Sequence, residues 1–265
     1  MNQATLETPP RSVYAAEAQS SAGKALDVLR LFDGTRATLG VTDVAATMAI
    51  PKSTAHRFLK TLVTHGYAVR RGDRYRLSPH TFHLGNLIPE CQVGGLRDCA
   101  GVAMSELFLR TRQTVQLAIL SGDEVLYIDR VRSPGHPGAR IGSRRPAHCT
   151  ASGKAILAFD PAMGEPLVSA PDLPRRTRNT LIGSGLADSL NRAIQCGYAV
   201  DLCEFQSGTC CVAAPIFEVN TRKILGSISL TFPFTDPETV KRLGRHVLDA
   251  ARMVRPVARD RNGRH

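Results

Sequence analysis

Two amphipathic helical patterns separated by a very short turn constrain the first third of the chain most strongly. Apolar residues recur at helical spacing at positions 41, 44, 45 and 48, and the same spacing returns at positions 55, 58, 59 and 62. Between the two patterns, only Ala49 and Ile50 precede Pro51, a residue that suits the first turn of a helix. The sequence therefore predicts a helix-turn-helix whose second helix spans residues 51–65.

A further helix is predicted before this pair, and a β-hairpin after it. Apolar residues at positions 25, 28, 29 and 32 lie at helical spacing after the candidate N-cap Ser21. Residues 67–70 and 74–77 alternate between apolar and polar side chains around a turn that contains Gly72. Three helices followed by a hairpin predict a winged helix-turn-helix domain over residues 20–78.

The positive charge of the chain is concentrated in this predicted domain. The chain carries 34 Lys and Arg against 23 Asp and Glu, a net charge of +11. Residues 20–78 hold ten Lys and Arg against four Asp, which gives +6 of that total. Such an excess indicates an anionic partner, and the basic face of the second helix favours DNA over a membrane surface. The alternative is that these charges form the solvated surface of an ordinary three-helix domain.

Nine side chains are the candidates for DNA contact. Residues near the start of a recognition helix reach base edges in the major groove, whereas residues of a wing contact phosphates or the minor groove. The helix supplies Lys52, Ser53, Thr54, His56, Arg57 and Lys60, and the hairpin supplies Arg70, Arg71 and Arg74. For His56, a surface or capping role is the alternative.

Hydrophobic periodicity in the rest of the chain indicates a second, mixed domain. A linker helix is predicted over residues 79–94. After it, segments with helical spacing of apolar residues and segments with strand-like alternation follow one another along the chain. The predicted helices span residues 96–111, 151–159, 186–196 and 237–254, and the predicted strands span residues 115–120, 124–131, 198–201, 211–217 and 224–232, with a short strand starting at Ile141. This order predicts an α+β fold over residues 95–255, with helices covering an antiparallel sheet.

The ends of the chain and its cysteines suggest no further functional site. Residues 1–19 are predicted to be a flexible leader, because they lack the apolar core of a secretory signal, and residues 256–265 a basic tail. No apolar stretch approaches the ~20 residues of a membrane span, so we expect a cytoplasmic protein. The seven cysteines form no CxxC pair, so we expect buried thiols rather than disulfides, and neither a metal site nor a cofactor.

Several stretches between residues 20 and 255 resemble the IclR family of bacterial transcription regulators. In chain order they are SAGKALDVLRLF, VTDVAATMAIPKSTAHRFLKTLVTHGYAVRRGDRYRLS, HCTASGKAILA, GYAVDLCEFQSGTCCVAAPIFE and LGSISLTFP. The resemblance implies a GAF-like effector-binding domain and homodimers or homotetramers on double-stranded DNA with a partly palindromic operator. It also implies a small aliphatic or aromatic carboxylate as effector. Two departures, Thr231 where the family often has serine and the doubled Cys210-Cys211, concern the ligand rather than the fold.

Six residues of the second domain are the candidates for effector contact. They are Ala151, Ser152, Asp201, Cys211, Ser229 and Thr231. The resemblance assigns the last four, and Ser229 and Thr231 share one strand face because they lie two residues apart. The first two begin a predicted helix, where small residues either expose backbone N–H groups to a carboxylate or simply permit close helix–sheet packing. For Cys211, the alternative is a buried core thiol.

These features predict a transcription regulator that binds DNA through its first domain and senses a small molecule through its second, and not an enzyme. One competing hypothesis is a cysteine-dependent hydrolase that uses Cys149 or Cys211 with His148. Residues adjacent in sequence seldom form such a pair, and the GxSxG elbow is absent. The segment around Lys154 lacks the first Gly and the Ser or Thr of a phosphate loop. The other hypothesis is an architectural DNA-binding protein whose second domain only oligomerises.

Overall fold

The computed structural model describes residues 20–32, 36–132, 135 and 138–256. These residues divide into two compact units, with the boundary between Ile88 and Pro89. The leader predicted over residues 1–19 lies outside the described residues, and so does the predicted tail except for residue 256. Within the described parts of the chain, no helix is long and apolar enough to cross a membrane.

The first unit contains three helices, a small sheet and a fourth short helix. Its elements are α1 (Ser21–Leu29), β1 (Leu39–Gly40), α2 (Val41–Met48), α3 (Lys52–Thr64), β2 (Ala68–Arg71), β3 (Arg74–Leu77) and α4 (Pro79–Asn86). The left-handed conformation of Ala49, with φ 53°, ends α2 and starts the turn into α3. The apolar stripes of α1, α2 and α3 meet in one core that includes Val28, Val44 and Phe58.

The sheet of the first unit has three strands rather than the two that the sequence predicted. Strand β3 lies between β1 and β2, and both neighbours are antiparallel to it. Leu39 of β1 pairs with Tyr75 of β3, and both side chains are buried. A strand of two residues is too short to show alternation, which is why β1 was not predicted from the sequence.

The second unit is a six-stranded antiparallel sheet with helices on both faces, so the chain has the α+β fold that the sequence predicted. Its elements are α5 (Leu96–Thr111), β4 (Thr114–Ser121), β5 (Glu124–Val131), β6 (Arg144–Pro146), α6 (Ala151–Leu157), α7 (Pro161–Ser169), α8 (Gly183–Cys196), β7 (Ala199–Leu202), β8 (Thr209–Phe217), β9 (Ile224–Pro233) and α9 (Pro237–Met253). The strand order is β6-β5-β4-β9-β8-β7.

The two faces of this sheet differ in chemistry because side chains alternate along each strand. On one face, apolar residues such as Leu117, Val212 and Leu230 belong to the same core as the apolar stripes of α5 and α9. On the other face, Ala118 and Ala213 belong to a second core together with residues of α6 and α8. The second face has smaller side chains, and it also carries the polar residues described below.

The structure corrects the predicted secondary structure in three places. The linker predicted over residues 79–94 is helical only to Asn86, with a single 3₁₀ turn at Pro89–Cys91. The strand predicted to start at Ile141 is wrong: this residue lies in a turn closed by Gly142 at φ 82°, and the strand begins at Arg144. Helix α7 was not predicted, because prolines at its first turn and in its interior and a buried glycine obscure its periodicity.

Candidate functional sites

In the first unit, α3 separates an apolar face from a polar one. Ala55, Phe58, Leu59 and Leu62 are buried in the core, which turns the opposite face outward. Of the predicted DNA-contacting residues on this helix, Lys52, Ser53, His56, Arg57 and Lys60 are exposed and Thr54 is half-buried. The helix therefore presents a continuous basic and hydrogen-bonding surface next to the β2–β3 hairpin.

The three arginines predicted on the hairpin lie in different environments. The Arg74 guanidinium donates to Asp43 Oδ2 at 2.8 Å and to the Thr38 carbonyl at 3.0 Å, which ties the hairpin to α2 and to the segment before it. A hydrogen bond from the Gly40 N–H, together with the charge of Arg74, lowers the pKa of Asp43. The contact between Arg74 and Asp43 could not be predicted from the sequence, because the two residues lie 31 positions apart.

Arg70 and Arg71 are both exposed, but only Arg70 is held within the hairpin. Arg70 Nε donates to the Gly72 carbonyl at 2.8 Å, and its guanidinium lies 5.9 Å from the centre of the Tyr75 ring. The Arg71 side chain forms no hydrogen bond or ion pair with any residue that the structure describes, although its backbone pairs with Arg74. Its charge is therefore the one at the hairpin tip most available to an outside anion.

In the second unit, four strands place polar side chains in one row across the sheet. Asp201 of β7 lies opposite Cys211 of β8, Cys211 lies opposite Thr231 of β9, and Thr231 lies opposite Thr114 of β4. Directly opposed residues share a face of the sheet, and Ser229 shares it too because it lies two residues before Thr231. The sheet therefore brings four predicted effector-binding residues to one face, the one that α6 covers.

Short hydrogen bonds connect this row to α6 and to β4. Ser152 Oγ donates to Ser229 Oγ at 3.1 Å, which joins α6 to the sheet. Thr231 Oγ1 donates to Gln116 Oε1 at 2.6 Å, and Cys211 Sγ lies 3.3 Å from the same threonine hydroxyl. Gln116 is buried, and the sequence interpretation missed it although it is a polar residue within the apolar pattern of a strand.

Asp201 closes the row at its β7 end. One of its carboxylate oxygens accepts the Glu204 N–H at 2.6 Å, which fixes the start of the β7–β8 loop. Burial raises the pKa of Asp201 to about 7, against the opposing effect of the positive charge of Lys154. Near neutral pH this carboxyl therefore has access to both protonation states, so it can donate a hydrogen bond as well as accept one.

A buried ion pair between Lys154 and Glu204 lies next to Asp201. Lys154 of α6 is fully buried, and its ammonium donates to Glu204 Oε1 and, at 3.2 Å, to Ser189 Oγ. The second oxygen, Glu204 Oε2, has no hydrogen-bond partner within the described residues. Only Lys154 stands out in the sequence, as a single Lys in a helix of small and apolar residues. Its partner Glu204 could not be predicted, because it lies 50 residues away.

The start of α6 supports the packing interpretation of its small residues. The Thr150 side chain accepts the Gly153 N–H at 3.2 Å, so this donor is already satisfied. A Cβ on Gly153 would lie 2.2 Å from the Ala147 carbonyl oxygen, so only glycine fits there. Ala151 is completely buried, and Ser152 reaches the polar row through its hydroxyl.

The cysteines lie in different environments: Cys149, Cys203 and Cys210 are buried, as the sequence predicted for the thiols, whereas Cys196 is exposed. All seven are free, and burial raises the pKa of Cys149 to about 12 and that of Cys211 as well. His148 Nε2 lies 3.1 Å from the Pro174 carbonyl oxygen, and within the described residues the ring forms no hydrogen bond with Cys149 or Cys211. Because thiolates are the reactive form of cysteine, these environments oppose nucleophilic catalysis.

A winged helix-turn-helix with an exposed basic recognition face, joined to an α+β unit with a polar sheet face, defines a transcription regulator with a ligand-binding domain. The family model described as "IclR helix-turn-helix domain" matches residues 21–72. The model described as "Bacterial transcriptional regulator IclR C-terminal" matches residues 91–255. The chain therefore belongs to the IclR family.

Individual relatives match this chain over most of their own length. The transcriptional regulator XynR of Escherichia coli K12 is 33% identical over 222 residues, which cover 80% of this chain and 85% of that protein. The regulator KdgR of Dickeya chrysanthemi is 32% identical over 237 residues, with coverages of 87% and 74%. An IclR homolog from Microbacterium hydrocarbonoxydans, solved in complex with 4-hydroxybenzoate, has a TM-score of 0.75 at 26% identity, over 89% of this chain and 97% of that chain.

Proposed function

We propose that this protein is a DNA-binding transcription regulator whose affinity for its operator changes when a small organic acid binds to the polar face of the second unit. The observation that supports this most directly is the row of polar side chains on one sheet face, in which Asp201 and Thr231 are buried and Cys211 is half-buried. Buried polar groups gathered in this way suit a binding site rather than a packed core. The complex of a relative with 4-hydroxybenzoate supports the same ligand class.

On the DNA side, the exposed face of α3 is the proposed reader of base edges. Ser53, His56 and Arg57 lie near its N-terminal end, which enters the major groove in helix-turn-helix proteins. The β2–β3 hairpin is the proposed wing, and the arginines at its tip, Arg70 and Arg71, contact phosphates. We place this activity in the cytoplasm.

The proposed assembly is a homodimer or homotetramer on a partly palindromic operator, because two recognition helices then meet two half-sites. Apolar side chains on and after α4 are exposed in the single chain, Phe82 at 72% and Leu87 at 53%. Exposed apolar groups of this size support burial against a second copy.

The wing makes a prediction about salt dependence. Replacing Arg71 with alanine should weaken binding to all DNA sequences and make the plot of log K against log[salt] shallower by about one unit, because one phosphate contact is lost. Fluorescence anisotropy with operator and random duplexes over a series of salt concentrations measures this slope. An unchanged slope would remove Arg71 from the interface.

Arg74 provides the contrast for this experiment. Because its guanidinium is bonded to Asp43 and Thr38, its replacement with alanine should lower the thermal stability of the first unit, whereas that of Arg71 should not. The two variants thus separate the loss of a phosphate contact from the loss of an internal one.

The effector site is tested by Ser229→Ala. In a thermal-shift screen of small carboxylates, an effector stabilises the folded chain by RT ln(1 + [L]/Kd). We expect Ser229→Ala to weaken the acid found in this way by about 1–2 kcal/mol, the cost of one buried hydrogen bond, while operator binding without effector is retained. Calorimetry and a DNA-binding assay measure the two quantities.

Ser227→Ala is the matched control. Ser227 lies two residues earlier on the same face of β9, it is fully buried, and its hydroxyl has no hydrogen-bond partner within the described residues. Its removal should leave effector affinity unchanged. Equal losses in both variants would mean that packing of β9, rather than a contact from Ser229, controls binding.

A further inference from the structure

Arg145 of β6 lies at the edge of the polar face with its guanidinium against two aromatic rings. Its central carbon is 5.6 Å from the centre of the Tyr127 ring and 4.4 Å from the centre of the Phe205 ring. Tyr127 is buried in the core that α6 shares with the sheet. Phe205 directly follows Glu204 in the β7–β8 loop, and the Glu204 N–H donates to Asp201 at 2.6 Å. Arg145 therefore reaches the face through Tyr127 and the Asp201 end of the row through Phe205.

This edge has an excess of positive charge. The Arg176 guanidinium lies 5.4 Å from the centre of the same Phe205 ring, so two cations share one ring. Neither forms an ion pair with a carboxylate of any residue that the structure describes. Two cations that contact one ring and have no ion-pair partner within the described residues favour the approach of an anion.

The β7 end of the row, which is more deeply buried, has the opposite character. Asp201 and Glu204 are both buried there, and the charge of Glu204 is balanced by Lys154. The Ser152 hydroxyl already donates to Ser229 Oγ, so its proton is not free for a ligand carboxylate. A ligand carboxylate beside Asp201 would meet a second acid, whereas at the edge it would meet Arg145.

The electrostatic reach of Arg145 includes the polar row. Burial raises the pKa of Tyr127, and the charge of Arg145 opposes this effect. Burial and the nearby Asp201 likewise raise the pKa of Cys211, and Arg145 acts in the opposite direction together with Thr231. The guanidinium is thus close enough to act on groups at the centre of the face.

We propose that Arg145 is the residue that recognises the carboxylate of the effector, and that the rest of the ligand points inward toward Asp201 and Thr231. This inference rests on the proposed function and makes it more specific, since it fixes the orientation of the ligand and the basis of its selection. A charge-assisted contact to a guanidinium discriminates strongly between a carboxylate and its uncharged amide. The site accepts small carboxylates and rejects the corresponding amides.

Calorimetry on the full chain tests the proposal. The probes are 4-hydroxybenzoate, benzoate, lactate and gluconate, each paired with its primary amide. We expect at least one acid to bind about tenfold or more tightly than its amide, and Arg145→Gln to weaken that acid by about tenfold or more, while Arg145→Lys retains part of the affinity. Circular dichroism of each variant checks that the fold is intact.

Arg144→Gln is the control, because Arg144 is the adjacent residue but is bonded to Ser121 at 2.9 Å and lies 3.9 Å from Glu124. Its replacement should leave acid affinity unchanged. The proposal is overturned if Arg145→Gln binds the acid as well as the unchanged chain does, or if acid and amide bind equally, and the proposed function survives either result. If no acid binds the unchanged chain, the proposed function fails together with it.

Discussion

Replacing Lys154 with methionine should destabilise the second unit by about 3–5 kcal/mol, the cost of leaving one partner of a buried ion pair without the other. The ammonium of Lys154 is fully buried and bonds both Glu204 and Ser189. Methionine has a similar length but leaves the Glu204 carboxylate buried with neither of its oxygens compensated. The chain has no tryptophan, so urea unfolding is followed by far-UV circular dichroism.

A double-mutant cycle separates the charge from the packing. Lys154→Met combined with Glu204→Leu removes both charges, and buried pairs replaced by apolar residues are often neutral or even stabilising. We therefore expect the double variant to recover much of the stability that the single variant loses. A loss below about 1 kcal/mol for Lys154→Met alone would mean that the pair does not join α6 to the β7–β8 loop energetically.

Replacing Gly153 with alanine should cost about 3 kcal/mol or more, although alanine is the better helix former by about 1 kcal/mol. The added Cβ would lie 2.2 Å from the Ala147 carbonyl oxygen and 2.3 Å from its Cα. These are backbone atoms, and the Ala147 N–H is itself bonded to the Asp123 carbonyl at 2.9 Å, so the segment cannot easily shift. The clash therefore outweighs the gain in helix propensity.

Gly101 provides the matched control for this variant. It lies inside α5, it is exposed, and a Cβ there would meet no atom within 4 Å. Gly101→Ala should therefore stabilise the protein by about 0.5–1 kcal/mol. Thermal unfolding of the two variants side by side measures the difference, and a tolerated Gly153→Ala would show that α6 has room to move on the sheet.

The sequence predicted those parts of the fold that depend on local periodicity. The apolar stripes of α2 and α3 located both helices within one or two residues, because a buried face repeats with the helical period. The alternation in β9 identified the face that carries Ser229 and Thr231 in the same way. Short elements such as β1 offered no such repeat.

Long-range contacts could not be predicted from these patterns. The sequence does not distinguish Arg74 from Arg71, or Arg145 from Arg144. In the structure, Arg74 bonds Asp43 and Arg71 does not. Likewise, Arg145 lies against the Phe205 ring and Arg144 does not. These differences arise from strand register and from loops that return after tens of residues. The candidate sites were therefore predicted as regions, whereas the roles of their individual charges come from the three-dimensional structure.

The most direct test of ligand-controlled DNA binding is a measurement of reciprocity. If an effector changes operator affinity by a certain factor, the operator must change effector affinity by the same factor. Calorimetric titration of the effector into the free protein and into its complex with saturating operator duplex gives the second factor, and anisotropy with and without effector gives the first. We expect the two factors to agree and to differ from one by about fivefold or more. Effector affinity that is identical with and without operator would contradict the account, because the two sites would then be independent.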